Sequence, residues 1–183
     1  MSHFCDNISD IGSEVSEFSR ILLAHRARKE GRMFLQQVEL FRDLPAHLLQ
    51  EINASGEEVA CPKGEFLFRA GQPAHSLYIL KEGRARVTIG EKGNIHFLAC
   101  DVGDIFGWPS LVDRPLYTAS VECLEDCKFV RIPKEKLNNI LEKDLSAQAL
   151  FFKRLAATIG QRLISAYDTV LSAYREQGPP SYG

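Results

Sequence analysis

Glycines at 56, 64, 71, 83, 90, 93, 103 and 107 cut residues 55–133 into short runs of strand-forming side chains. Turn signals at such regular intervals point to an all-β barrel or jelly roll. Within one run Ala85, Val87 and Ile89 alternate with Arg84, Arg86 and Thr88, the period-two pattern of a half-buried strand. Glu91-Lys92-Gly93-Asn94 reads as a hairpin turn before Ile95-His96-Phe97-Leu98. The expected fold class is mainly β with flanking helices (α+β). It is an antiparallel double-stranded β-helix or jelly roll, with N-terminal helices before it and a long C-terminal helix after it.

Before the roll, residues 1–12 are polar and aperiodic, the texture of a loose tail. From Glu14 to Lys29, Val15, Phe18, Ile21 and Leu22 recur at helical spacing, with Ser13 placed to cap them and Gly31 to stop them. The cations of His25-Arg26-Ala27-Arg28-Lys29-Glu30-Gly31-Arg32 suit a helix C-terminus. The same cluster is alternatively a contact for an acidic partner or an anionic membrane surface. Further on, Asp43 or Leu44 is expected to start a lead-in helix carrying Leu48, Leu49 and Ile52, with Pro45 in its first turn.

After the roll, Pro133 opens a helical stretch with Leu137, Ile140 and Leu141 on one face. Leu145, Ala149, Phe152, Ala156, Ile159, Leu163, Ala166, Val170 and Ala173 then recur at alternating spacings of four and three, the a/d pattern of a coiled-coil seam. Leu155, Ile164, Tyr167, Leu171 and Tyr174 flank the seam and are expected to pack on the roll. A helix of about 28 residues is about 42 Å long, more than one small roll can cover, so a homodimer through this helix is expected. The chain is thus expected to divide into a tail and helix over 1–34, a roll with its helical lead-in over 35–133, C-terminal helices over 134–178 and a tail over 179–183.

Bulk properties exclude several function classes. A formal net charge of -2 lacks the basic excess of a nucleic-acid binder. No apolar run reaches the roughly 18 residues of a membrane span, and Met1-Ser2-His3-Phe4-Cys5-Asp6 has neither the basic nor the apolar region of a secretory signal. Cysteines 5, 61, 100, 123 and 127 form no Cys-x-x-Cys pair, and this odd, scattered set fits a reducing compartment. A cytoplasmic location is expected. Cys123 and Cys127 fall in a strand–turn–strand segment and are expected to be buried as small apolar residues. Histidines 3, 25, 47, 75 and 96 show no metal-ligand spacing, so no metal site is assigned. No nucleophile, base and orienting group form a pattern, so no catalytic residue is assigned and an enzyme is not expected.

Two stretches are more specific. Leu67-Phe68-Arg69-Ala70-Gly71-Gln72-Pro73-Ala74-His75-Ser76-Leu77-Tyr78-Ile79-Leu80-Lys81-Glu82-Gly83 sets Gly71, the small Ala74, the apolar run 77–80 and Gly83 at fixed spacings. Phe106-Gly107-Trp108-Pro109-Ser110-Leu111 is followed, after a short spacer, by Tyr117-Thr118-Ala119-Ser120-Val121. Together they resemble the first motif and the phosphate-binding cassette of the cyclic nucleotide-binding domain family (catabolite activator proteins, kinase regulatory subunits, gated channels). The likeness runs over roughly residues 35–175. The family's cassette reads aliphatic-Gly-Glu-x-small-aliphatic, then Arg-small-Ala-x-aliphatic. Every scaffold position of the cassette matches, while Phe68 replaces a smaller aliphatic in the first motif. Trp108 stands where the family has Glu, and Tyr117 where it has Arg.

The resemblance implies a site at Phe106, Gly107, Trp108, Pro109, Ser110, Leu111, Tyr117, Thr118, Ala119 and Ser120. No resident cofactor is implied beyond a cyclic nucleotide or another small anionic ligand. In the family the Arg pairs with the cyclic phosphate and the Glu accepts from the ribose hydroxyl. Tyr117 brings no positive charge and Trp108 no acceptor, while Thr118 and Ser120 still offer hydroxyl and backbone donors. Losing two charge-assisted contacts of about 1.5–3 kcal/mol each weakens binding by about 10²–10⁴-fold. Arg114 is a substitute cation or an exposed turn residue. Trp108 fills a vestigial pocket or lines one remade for a flatter, less charged ligand.

The family's transcription factors continue into a helix-turn-helix unit, whereas Gln177 is followed here by Gly-Pro-Pro-Ser-Tyr-Gly, so DNA binding in that manner is not expected. The expected function is a non-catalytic regulatory sensor or interaction module that does not bind cAMP or cGMP in the usual way. The alternatives are a working cyclic nucleotide receptor signalling to a partner protein, the sensor part of a catabolite activator or Fnr-type regulator, and a ligand-free dimeric scaffold.

Overall fold

The structure, a computed structural model, describes residues 33–89 and 95–177, with the side chains of 95–99 and 173–177 outside the description. The expected helix over 14–29, the basic segment 25–32, the turn at 91–94 and the tail at 179–183 lie outside the described residues.

Eight strands are described: β1 (Glu57–Cys61), β2 (Phe66–Phe68), β3 (Ser76–Glu82), β4 (Ala85–Ile89), β5 (Ile95–Cys100), β6 (Ile105–Phe106), β7 (Ser120–Cys123) and β8 (Cys127–Pro133). They form two four-stranded antiparallel sheets, ordered β1-β8-β3-β6 and β2-β7-β4-β5. Residues 33–37 are helical (α1), followed by α2 (Ala46–Ser55), α3 (Lys134–Leu141) and α4 (Leu145–Gln177). The jelly roll with flanking helices and a long C-terminal helix is therefore the observed architecture.

The continuous apolar run of β3 is explained by burial on both faces. Leu77 and Ile79 enter a core shared with the helices, while Tyr78 and Leu80 point into the core between the sheets. β8 divides in the same way, with Ile132 on the helical side and Cys127 and Phe129 inside the roll. The helical-side core is dominated by Phe41, Leu48, Leu49, Ile52, Leu137 and Phe151, with the Phe41 and Phe151 rings 5.6 Å apart. Burying each such side chain contributes about 1.5–3 kcal/mol.

Several local expectations are corrected. α2 begins at Ala46, with Pro45 as the residue that caps it. Asp43 adopts a left-handed backbone (φ 57°), and its carboxylate accepts from Arg154 at 2.6 Å. It therefore pins α4 rather than starting α2. In β4 the apolar-in alternation fails: Thr88 is buried and Ile89 exposed, and the pairing with β5 shifts register between Arg86 and Val87. α4 starts where Asp144 accepts from the N–H groups of Ser146 and Ala147, both at 3.0 Å.

α4 has two faces with different fates. Ala147, Phe151 and Leu155 are buried against the body of the molecule. Of the expected flank, only Leu155 among the described side chains packs in this way: Ile164, Tyr167 and Leu171 are exposed. The reason lies in the helix phase, since residues 147, 151, 155, 158 and 162 form the body-facing row and the flank lies off it. The candidate seam is largely uncovered. Leu145, Ala149, Ala156, Leu163 and Val170 are exposed, and Phe152, Ile159 and Ala166 half-buried.

Candidate functional site

The two sequence motifs meet at one end of the roll. Tyr117 N–H donates to Gln72 O (2.9 Å), Gly71 N–H to Tyr117 O (2.8 Å) and Ala74 N–H to Pro115 O (2.8 Å). Pro73 and Leu116 are bridge partners. These backbone bonds hold the 71–76 loop against residues 115–117, so the first motif buttresses the cassette.

β6 ends at Phe106, and Gly107 turns the chain with φ 77° into a short 3-10 turn, Trp108–Leu111. A Cβ at position 107 would stand 2.4 Å from Ser76 O and 3.2 Å from Tyr117 Cε1, so only glycine fits. Ser110 folds back on this turn, its Oγ donating to Gly107 O at 2.7 Å. Neither it nor Leu111, which belongs to the helical-side core, lines the neighbouring cavity. Ser120 Oγ accepts from Ala70 N–H at 3.0 Å, so it ties β7 to the 69–72 loop.

Tyr117 points inward. It is 5% exposed, and its ring stacks on Phe68 at 3.9 Å between centroids and 21° between planes. Its Oη donates to Ser76 O (3.1 Å) and accepts from Ser76 N–H (3.3 Å). Burial is the main cause that pushes the phenol up to about 12. The larger Phe68, noted in the sequence as a departure, is thus the surface on which this tyrosine lies.

What remains is a cavity of about 40 Å³ lined by Phe106, Gly107, Trp108, Pro109, Tyr117, Thr118 and Ala119, with Phe68, Val87, Val121 and Arg162 completing the wall. That holds one or a few waters and falls far short of the roughly 300 Å³ of an ordinary small-molecule pocket. Trp108 is half-buried and packs also against the helical-side core. Arg114 is exposed and does not line the cavity.

The segment from Glu58 to Asp144 matches the model of the cyclic nucleotide-binding domain. Over these residues the chain belongs to the cyclic nucleotide-binding domain family. Among its relatives is an NTE family protein of Mycobacterium tuberculosis, 27% identical over 136 residues that make up 74% of this chain and 23% of that protein. A cAMP-dependent protein kinase regulatory subunit of Blastocladiella emersonii is 30% identical over 128 residues, 68% of this chain and 32% of that one. The chain thus spans about a quarter to a third of these relatives. The crystal structure of the sensor domain of the transcriptional regulator DNR from Pseudomonas aeruginosa shares the fold, with a TM-score of 0.64 at 24% identity over 74% of this chain and 93% of that one.

In this cyclic nucleotide-binding domain the one cation that lines the cassette cavity among the described residues comes from outside the cassette. Arg162 of α4 lines the cavity, with its guanidinium carbon 5.8 Å from the centre of the Phe106 ring. The a/d pattern does not mark Arg162, which lies on another side of α4 from the seam. The available signal was the row Ala147, Phe151, Leu155, which continues through Thr158 to Arg162.

The cysteines gather elsewhere. Cys61, Cys123 and Cys127 are free thiols buried together in the core between the sheets, and Cys61 and Cys127 are paired across β1 and β8. Burial pushes the Cys123 and Cys127 thiols up, which keeps them protonated and unreactive. Among the described residues no group of three or more His, Cys, Asp or Glu side chains is arranged to hold a metal ion, and no helix is long and apolar enough to cross a membrane.

Proposed function

We propose that the protein is a non-catalytic regulatory sensor or interaction module, built on a cyclic nucleotide-binding domain that does not take cAMP or cGMP in the family's way. One observation carries this reading: Tyr117, at the position of the family's phosphate-binding Arg, is turned into the roll and bonded to both backbone groups of Ser76. Its side chain and Phe68 fill space that a ligand would need, and neither supplies charge. Likeness to a kinase regulatory subunit and to a transcriptional regulator's sensor domain supports a regulatory role for a chain of this kind.

The same reading includes a homodimer through α4. The exposed apolar row Leu163, Tyr167, Val170 and Leu171 on a 33-residue helix supports it, because a contiguous apolar row at a surface marks an interaction site.

The decisive measurement is a titration of the emission of Trp108, the sole tryptophan, with cAMP and cGMP. No saturable change is expected below about 100 µM. Saturation below that level would overturn the reading.

A further inference from the structure

Arg162 faces two spaces at once. One is the small cassette cavity; the other is a groove of about 400 Å³ between α4 and the roll, lined by Glu39, Cys100, Asp104, Ala157, Thr158, Gln161, Arg162 and Ser165. The size of the groove is that of a small-molecule site. Arg162 Nη2 is buried and has no hydrogen-bond partner among the described residues. Its nearest carboxylate oxygen, Asp104 Oδ1, stands 3.7 Å away, an ion pair too long for a hydrogen bond. The side chain is otherwise 22% exposed, and a partly accessible guanidinium with an unused donor is the kind of group that binds an oxyanion, because its fork of N–H groups matches a carboxylate.

Most polar groups in the rest of the groove are acceptors, with the Gln161 amide able to act either way. Asp104 and Glu39 are carboxylates. The Thr158 hydroxyl donates its proton to Arg154 O and the Ser165 hydroxyl donates to Gln161 O, so what both oxygens have left is acceptor capacity. One strong cationic donor among several acceptors complements a molecule with one oxyanion and one ammonium. It does not complement a cyclic nucleotide, which carries an anion and no cation.

We propose that this groove binds a small zwitterion of the amino-acid class, its carboxylate on Arg162 and its ammonium toward Asp104. The inference goes beyond the reading above but shares its premise that the cassette has lost its own cation. It also gives that reading a ligand whose arrival would draw Arg162, and with it α4, away from the Asp104 pair.

The test titrates the common amino acids one at a time against the full chain, read by Trp108 emission and by calorimetry. Any that binds is repeated as its N-acetyl and its decarboxylated form, with cAMP alongside. At least one amino acid is expected to saturate below about 10 mM, and each blocked form to bind about tenfold or more weakly. Arg162→Gln should abolish the preference for the free carboxylate, and Arg162→Lys should keep part of it, with urea unfolding confirming that both variants fold. Asp104→Asn should reduce the preference for the free amine. No binding to any amino acid by either readout, or equal binding to wild type and Arg162→Gln, overturns the proposal. Tight cAMP binding that survives Arg162→Gln would instead overturn the preceding reading of the cassette.

Discussion

Tyr117 Oη stands between the N–H and the C=O of Ser76, accepting from the first at 3.3 Å and donating to the second at 3.1 Å. The pair links the end of the cassette to the first residue of β3, and both partners are buried. A side chain that loses its hydroxyl here leaves two buried backbone groups without that partner. Tyr117→Phe is therefore expected to destabilise the fold by about 1–3 kcal/mol, read as a lower urea midpoint with an unchanged slope. An unchanged midpoint would mean that the two bonds contribute nothing net.

The same burial gives a pH signature. Tyr117 ionises at about 12 in the folded chain, against about 10 when unfolded. Between those values the unfolded state has released a proton that the folded state still holds, so stability falls as pH rises. The contribution is complete below about pH 10 and lost as pH passes through about 12. Tyr117→Phe should flatten this decline relative to wild type when urea midpoints are compared from pH 9 to 12. Parallel curves would count against an inward, protonated phenol.

Restoring the family's two ligand-holding residues tests the cassette from the other direction. The double substitution Trp108→Glu with Tyr117→Arg returns an acceptor and a guanidinium to a turn whose Gly107 geometry is retained. It also removes the ring that stacks on Phe68. Affinity for cAMP is expected to rise by about 10²–10⁴-fold, measured by calorimetry. A gain below about tenfold would show that the crowding by Phe68 matters more than the missing charges.

Legibility in the sequence followed the range of the physical constraint. Glycine turns and the two motifs act through local backbone geometry, so the roll and the cassette's position could be read directly. The period-two reading of β4 failed because burial there depends on pairing with β5, which slips by a residue. Position in the motif places Ser110 and Ser120 at the site, while the Ser110 hydroxyl donates to Gly107 O and the Ser120 oxygen accepts from Ala70 N–H. Arg162 could not be joined to the cassette by spacing, since a helix far along the chain brings it there. The absence of charge at Tyr117 was plain in the sequence; its inward turn onto Phe68 and Ser76 was not.

Gly107 and Gly103 offer a matched comparison. Both have positive φ (77° and 96°), but only at Gly107 would a Cβ collide with backbone, 2.4 Å from Ser76 O. Gly103→Ala should cost only the conformational penalty of about 1–2 kcal/mol. Gly107→Ala should cost clearly more and shift Trp108 emission, since the turn must move to relieve the contact. Equal losses in urea unfolding would mean that the 76–107 approach is easily relaxed.

The proposed dimer rests on α4, where Leu163 is 48% and Val170 56% exposed although both fall on the a/d seam. Both lie on the side of the helix away from the row that packs on the body, so charging them leaves the core of a single chain intact. Light scattering should report twice the mass of the chain for wild type and a single mass for Leu163→Glu with Val170→Glu. The unfolding slope of the double variant should be unchanged, and wild-type stability alone should rise with protein concentration, because association favours the folded state. A monomeric wild type at concentrations of about 100 µM would remove the dimer from the proposal, while leaving the cassette and groove readings standing on their own residues.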